Sequence, residues 1–281
     1  MSNYKVLYNP LSNHGQGEAE AKMLIDLLSD SEFTYIDLTQ VKDIKPIVAS
    51  LTPDEKLIIC GGDGTLHRFL NDTDGLEMKN ELLYYATGSH NAFLSDIGVN
   101  KGIPVPLKEY LGKLPTVTVN GRNEKFINGV GFGIDGYCSE KDSERYAVSD
   151  QRLQDTRKAI KGFLSDFKPV NAMVTVDGIT YRFQKVWMAP TMFGRFHGVG
   201  MIPAPHQNRE DGIVSTMVLH NCGRLKALMT FPRIMKGEPF RDEKVVSIFK
   251  GHAVSVQFDQ PTVLQIDGET IRGVTSYTVK I

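Results

Sequence analysis

The chain has 281 residues, 41% apolar and 23% charged, which fits one large or two ordinary globular domains. A formal net charge of -1 gives no global basic field and so argues against nucleic acid as a partner. Cys60, Cys138 and Cys222 are few, far apart and without metal-ligand spacing, so they are expected as reduced thiols in a cytoplasmic protein, not as a disulfide framework.

Lys5–Tyr8 is a short apolar strand followed by Asn9-Pro10, so the N-terminus reads as a strand entering a fold and not as a signal peptide. Met23, Leu24, Leu27 and Leu28 lie on one face of a helix predicted over Glu18–Leu28. Thr34–Leu38 reads as a second strand, and Ile44–Ser50 as a short helix stopped by Pro53. Leu57–Cys60 is a continuous apolar run, as expected for a strand buried on both faces of a parallel sheet. Leu66, Phe69 and Leu70 mark another helix, Leu82–Ala86 a fourth strand, and Asn91–Ile97 a further helix. This alternation predicts a doubly wound, mostly parallel α/β domain over residues 1–115.

Near Leu114-Pro115 the pattern changes to strand, turn, strand. Thr116–Val119 ends in the hairpin pair Asn120-Gly121, and Met173–Val176 ends in Asp177-Gly178, with Thr180–Phe183 continuing. Lys185–Met188, Ile213–Leu219, Val245–Phe249, Val254–Phe258, Val263–Ile266 and Tyr277–Ile281 also read as strands. Helices are expected near Asp150–Phe167 and Arg224–Met235. Residues 116–281 are therefore expected to form an antiparallel β-sandwich domain. No stretch approaches the roughly 18 apolar residues of a membrane span, so membrane contact is expected to be peripheral.

The sharpest local signal is Gly61-Gly62-Asp63-Gly64-Thr65, between a buried strand and a helix. Glycines let the backbone approach a ligand, and the N–H groups opening the next helix favour an anion there. Thr65 offers a hydroxyl to a phosphate or caps the helix. Asp63 puts a carboxylate beside that anion site, which makes it a candidate for Mg²⁺ or a substrate hydroxyl; the plainer reading is a local turn former. The pattern is neither a Walker loop nor the dinucleotide Gly-x-Gly-x-x-Gly. Asn9–Gly17 and Thr87–Asn91 follow strands of the same sheet and are expected at the same edge, where doubly wound sheets bind ligands. Three polar, glycine-bearing loops there suit a nucleotide, although each alone reads as a solvated loop.

Gly61–Thr65 resembles the Gly-Gly-Asp-Gly-Thr signature of the diacylglycerol kinase catalytic-domain family, shared more distantly with sphingosine and NAD kinases. The likeness to its small bacterial lipid kinases runs over nearly the whole chain. Asn9-Pro10 is similar to the family's opening Asn-Pro, and Gly88-Ser89-His90-Asn91-Ala92-Phe93 to its Gly-Thr-x-Asn-Asp-Phe. Asn128, Gly131, Gly133 and Asp135 match an Asn-x-x-Gly-x-Gly-x-Asp stretch. Pro203-Ala204-Pro205 through Asp211-Gly212 resembles its Pro-x-Ala loop, and Asp267-Gly268-Glu269 its closing Asp-Gly-Glu.

The resemblance implies an ATP-dependent lipid kinase acting on diacylglycerol or a related lipid alcohol, with Mg²⁺ as cofactor. Nucleotide contacts are implied for Asn9, Thr39, Gly61, Gly62, Asp63, Gly64, Thr65, Gly88, Ser89 and Asn91. Asp63 would serve the phosphate and Mg²⁺; Glu269, with Asp267 near it, would act as base on the lipid hydroxyl. A structural Mg²⁺ is implied at Asp211 with backbone oxygens near Asn208 and Ile213. Without the resemblance, Asp267-Gly268-Glu269 reads as a hairpin turn ending a strand. Peripheral membrane association and a homodimer are further open expectations.

The chain departs from the family at several positions. His67 and Arg68 stand where it has Asn-Glu, Ala92 replaces an Asp, and Ser95 stands where Arg is common. These changes motivate an alternative: a silent nucleotide- or lipid-binding regulator. A kinase for a soluble alcohol or nucleotide is the other. The seven histidines show no ligand spacing, and Arg152–Lys161 reads as a solvated basic face or a lipid contact. Met192, Phe193, Phe196, Val199 and Met201 fit core packing and a lipid-tail pocket equally.

Overall fold

The computed structural model describes residues 2–133, 167–198, 200–238 and 244–281. The motif residue Asp135, Cys138, the run Arg152–Lys161, Val199, and all of the helix expected over Asp150–Phe167 except Phe167 lie outside the described residues. The chain divides into two compact units, Met1–Leu114 and Pro115–Ile281.

The first unit is an α/β layer. Its strands are β1 (Ser2–Tyr8), β2 (Ser31–Asp37), β3 (Glu55–Gly61), β4 (Leu82–Ala86) and β5 (Val105–Pro106), in the order β2-β1-β3-β4-β5. The first four pair in parallel and β5 closes the edge antiparallel to β4. Parallel strands need crossovers, and these are the helices α1 (Ser12–Gly15), α2 (Gly17–Lys22), α3 (Leu24–Leu27), α4 (Lys45–Ala49) and α5 (Asp63–Asp72), while α6 (Ala92–Ile97) lies between β4 and the antiparallel β5. Leu57–Gly61 and all of β4 are buried, which is why both strands read as unbroken apolar runs. In α5, Leu66, Phe69 and Leu70 form the buried face.

One expected helix differs. Glu18–Leu28 is broken at Met23, whose N–H bonds back three residues to the Glu20 carbonyl at 3.1 Å and tightens the turn. The tightening rotates the apolar stripe: Ala21 and Leu24 are buried, while Met23 and Leu27 are 55% and 50% exposed.

The second unit is an antiparallel β domain. Its strands are β6 (Thr116–Val119), β7 (Arg122–Lys125), β8 (Gly129–Phe132), β9 (Val170–Val176), β10 (Ile179–Val186), β11 (Thr191–Met192), β12 (Val214–Leu219), β13 (Val246–Gly251), β14 (Ala253–Ile266) and β15 (Glu269–Lys280). Among the described residues the path runs β13-β12-β11-β8-β14-β15-β6-β7, and the β9–β10 hairpin joins at β14. The predicted turns at Asn120-Gly121 and Asp177-Gly178 carry the positive φ angles that such hairpins need.

Two expected strands, Val254–Phe258 and Val263–Ile266, are one long strand, β14. The pairing with β15 shifts register between Gln257 and Thr262, and that irregularity accommodates Pro261, which has no N–H to give a regular ladder. On its other side β14 pairs first with β9 and then, past the irregularity, with β8. The expected strand Tyr277–Ile281 is only the end of β15. The exposed polar residues and Gly273 before Tyr277 hide the period that would have extended it. Helix α7 (Arg224–Lys236) buries Ala227, Phe231 and Ile234 in a core with Trp187, Met188, Met217 and Leu219. Met192, Phe193 and Met201 are also buried, so these three pack the domain interior. Among the described residues no helix is long and apolar enough to cross a membrane.

Trp187, the sole tryptophan of the sequence, is 1% exposed and donates its ring N–H to the Cys222 carbonyl at 3.0 Å. Trp187→Phe leaves that buried carbonyl without its donor, at an expected cost of about 1–3 kcal/mol. Denaturant unfolding followed by circular dichroism measures it. A loss well below that range would contradict the assignment of this bond as structural.

Candidate functional site

In the first unit, strand register collects the loops. Tyr8 pairs with Asp37 on one side and Cys60 on the other, and Gly61 pairs with Ala86. Leu38–Gln40, Asn9–Gly17, Gly62–Thr65 and Thr87–Asn91 therefore leave the sheet at one edge, its carboxyl end. The chain runs outward from β1 to β2 and then returns across to β3, so the strand order reverses between β1 and β3. A crevice for ligands opens at such a reversal in open α/β sheets.

Three of these loops are bonded to one another. The Asn9 N–H donates to the Cys60 carbonyl at 3.0 Å, and the Asn9 side-chain amide donates to Thr65 Oγ1 at 3.1 Å. The Ser12 and Thr87 hydroxyls are 2.7 Å apart, and the Thr87 N–H donates to the Gly61 carbonyl at 2.9 Å. Tyr84 supports the same carbonyl from below with its hydroxyl at 3.0 Å. Burial, and then the nearby Asp63 charge, pushes the Tyr84 hydroxyl well above its ordinary range, so it stays a donor.

Glycine is required where two loops touch by backbone. A Cβ on Gly88 would lie 2.5 Å from Gly62 Cα and 2.6 Å from Asn91 Oδ1. Gly88 cannot carry a side chain there without the loops moving apart, whereas a Cβ on Gly62 would meet Gly88 Cα at 3.3 Å. Asn91 sits in the left-handed region at φ 49 and donates its amide to the Gly88 carbonyl at 2.8 Å. Its Oδ1, buried and without a hydrogen-bond partner, is an acceptor; it suits a ligand hydroxyl or amino group, not a phosphate.

Asp63 opens α5, but its carboxylate is turned to another helix. Its oxygens accept the N–H groups of Ala92 at 2.8 Å and Phe93 at 3.1 Å, at the start of α6. The negative charge is thus set against the positive end of a neighbouring helix and fixes the Gly88–Phe93 loop. Ala92 bears no side chain that would compete for those N–H groups. His67 is buried in α5 and Arg68 points to its exposed face. Thr39 is exposed after β2, its N–H and hydroxyl both on the Asp37 carboxylate, at 2.8 and 2.7 Å. Ser89 is exposed, 3.5 Å from Asn13 Oδ1.

In the second unit, Asp267 is 3% exposed and begins the β14–β15 turn at φ 47, with Gly268 at φ 100. The segment is thus the hairpin turn that its residues suggest. The Asp267 carboxylate accepts three consecutive N–H groups: Ile127 at 2.6 Å, Asn128 at 2.8 Å and Gly129 at 3.0 Å. The Asn128 carbonyl accepts from Phe193 and Gly194. Arg209 donates to the Ile127 carbonyl and to Asn128 Oδ1 at 3.2 Å, and lies over the Phe193 ring. Asn128, Asp267 and the Pro203–Gly212 loop, far apart in sequence, thus meet in one network. Glu269 begins β15, half-buried and paired with Ile266.

Sequence reasoning missed Arg209, Ser12, Thr87 and Tyr84. Arg209 had a usable signal, a basic residue inside a motif loop. Ser12 and Thr87 lie in loops expected at this edge but were not singled out within them, and Tyr84 lies on a strand; their bonds show only in three dimensions.

Asp211 and Asn208 are exposed, and among the described residues no cluster of His, Cys, Asp and Glu is arranged to hold a metal ion. The Asn208 and Ile213 carbonyls, expected as metal ligands, both accept from the side-chain amide of Gln207. Each of these oxygens thus already has a hydrogen-bond donor facing it.

The chain matches the family described as the diacylglycerol kinase catalytic domain over residues 3–119. It matches the YegS C-terminal NAD kinase beta sandwich-like domain over residues 128–281. It is 26% identical to a Bacillus subtilis (strain 168) protein named "Putative lipid kinase YtlR", over 79% of this chain and 76% of that one. It is 22% identical to a diacylglycerol kinase of the same organism, over 79% and 73%. A solved diacylglycerol kinase structure from Bacillus anthracis str. Sterne shares the fold with a TM-score of 0.64 at 15% identity, covering 99% of this chain and 93% of that one.

Asp267→Asn isolates the charge. Asn tolerates the left-handed backbone as well as Asp does, so the substitution alters the carboxylate's interactions, its bonds to three N–H groups among them, and not the turn. The expected loss is about 2–3 kcal/mol of unfolding free energy, read by chemical denaturation. No loss would show that the Asn128 segment holds without the anion.

Proposed function

The chain belongs to the diacylglycerol kinase catalytic-domain family with a YegS-type C-terminal domain, and from that premise we propose that it is an ATP-dependent lipid kinase. Its acceptor is the hydroxyl of diacylglycerol or a related lipid alcohol. The observation that carries the proposal is the joined set of loops at the β1/β3 reversal, closed on itself at the Gly62–Gly88 contact. Such an edge presents backbone N–H groups and hydroxyls, the donors that a polyphosphate needs. The names of the relatives support the lipid acceptor.

ATP enters as its magnesium complex. The metal, when bound with the phosphates, offsets their charge during transfer. Asp63 holds the Gly88–Phe93 loop in place, so its effect on the phosphates is positional. Thr65 and Ser89 offer hydroxyls, and Asn91 Oδ1 accepts a hydroxyl or amino group of the nucleoside. Glu269 is the base: its carboxylate takes the proton of the lipid hydroxyl as the oxygen attacks the γ-phosphorus and the bond to ADP breaks. Asp267 holds the turn from which Glu269 projects, and it stays committed to three N–H groups throughout. An acceptor that lives in a bilayer requires the enzyme to work at the membrane surface, which it meets peripherally from the cytoplasmic side.

Labelled γ-phosphate from ATP should appear in lipid when the protein is given a panel of lipid alcohols in detergent micelles. Glu269→Gln should retain its circular dichroism spectrum and lose activity by about 100-fold or more, the usual worth of a general base. Absence of labelled lipid with every alcohol, while ATP still binds, would refute the proposal and favour a soluble acceptor or a silent binding protein.

A further inference from the structure

The loop His206–Ile213 closes without any ion. We propose that the side-chain amide of Gln207 does there what a divalent cation would otherwise do, and that the loop keeps its shape in the complete absence of metal.

Gln207 is 5% exposed, unusual for a glutamine on a polar loop. Its Nε2 donates to the Ile213 carbonyl at 2.8 Å and to the Asn208 carbonyl at 3.2 Å. Its Oε1 accepts the hydroxyl of Ser215, itself 1% exposed. Carbonyls only accept, so the NH₂ end of the amide must face them; the network fixes its orientation. The Gln207 N–H donates to the Ala204 carbonyl at 3.0 Å. One neutral side chain therefore ties Asn208, Ile213 and Ser215 together.

A cation bridging the same carbonyls would need their lone pairs to converge on it at about 2.0–2.6 Å. They converge instead on a nitrogen that has two hydrogens and no lone pair to offer a metal. Two side-chain oxygens of the loop face donors as well. Asn208 Oδ1 accepts the Glu210 N–H at 3.2 Å, and Asp211 Oδ1 accepts the Asn208 amide at 3.1 Å. Lys250 places its ammonium on the His206 carbonyl at 3.1 Å, adding positive charge on the same loop. Amide and ammonium together provide the bridging that a cation provides elsewhere, without its demand for converging oxygen ligands. The hold on the loop is independent of phosphoryl transfer.

Thermal unfolding of the nucleotide-free protein tests this, in excess EDTA and in millimolar magnesium or calcium. The native chain should show the same Tm in all three and should purify without a stoichiometric divalent ion by elemental analysis. Gln207→Met keeps the length of the side chain but strips its donors and acceptor: the Ile213 carbonyl and the Ser215 hydroxyl lose this partner, and the Asn208 carbonyl keeps only the Asp211 N–H at 3.3 Å. Its Tm in EDTA should fall by more than about 4 °C. A native Tm that drops in EDTA, a bound divalent ion in the purified protein, or an unchanged Tm in Gln207→Met would each overturn the proposal.

Discussion

A buried or half-buried carboxylate that accepts backbone N–H groups organises each unit of this protein. Asp63 takes two such groups at the start of α6, and Asp267 takes three from the segment before β8. Both are motif aspartates, and such residues invite a chemical role. Their oxygens accept main-chain N–H groups, and through those bonds they set the position of other groups. Removing a partner from such an arrangement is costly because the orphaned N–H groups cannot reach water. Everything at the sheet edge follows from the first of these anchors: the Gly88–Phe93 loop is fixed, Gly88 meets Gly62, and the loops of β1, β3 and β4 close into one surface.

The second anchor acts through Asn128. Asp267 holds its segment from the N–H side, and Arg209 from the carbonyl and side-chain side. Opposite charges thus grip a neutral stretch of backbone between them. Three motifs, separated by up to 140 positions, are joined in this way. Glu269, two residues past Asp267, inherits a fixed starting point for its strand.

Much of the fold was legible. Buried strands read as apolar runs, so β3 and β4 were found, β4 with its bounds. The glycine-rich turn between β3 and α5 and the Asn-Gly and Asp-Gly hairpins were equally plain, because their backbone conformations demand particular residues. The failures have physical causes as well. The Glu18–Leu28 stripe obeyed helical spacing, yet a single i−3 bond at Met23 turned half of it to solvent. β14 was split in two because Pro261 normally ends a strand, and only a register irregularity lets this one continue. At the site, glycines, Asp63, Asp267 and Glu269 were visible as types in a pattern. Which way each carboxylate faces was not, since an aspartate that caps a distant helix looks the same in one dimension as one that awaits a ligand.

Hydrogen exchange of backbone amides, with and without ATP, tests the account at its centre. The account predicts slowed exchange in residues 9–17, 61–66 and 87–93, the three segments that leave the carboxyl ends of β1, β3 and β4. Unchanged exchange in those segments at a saturating ATP concentration, or slowing confined to other parts of the chain, would contradict it.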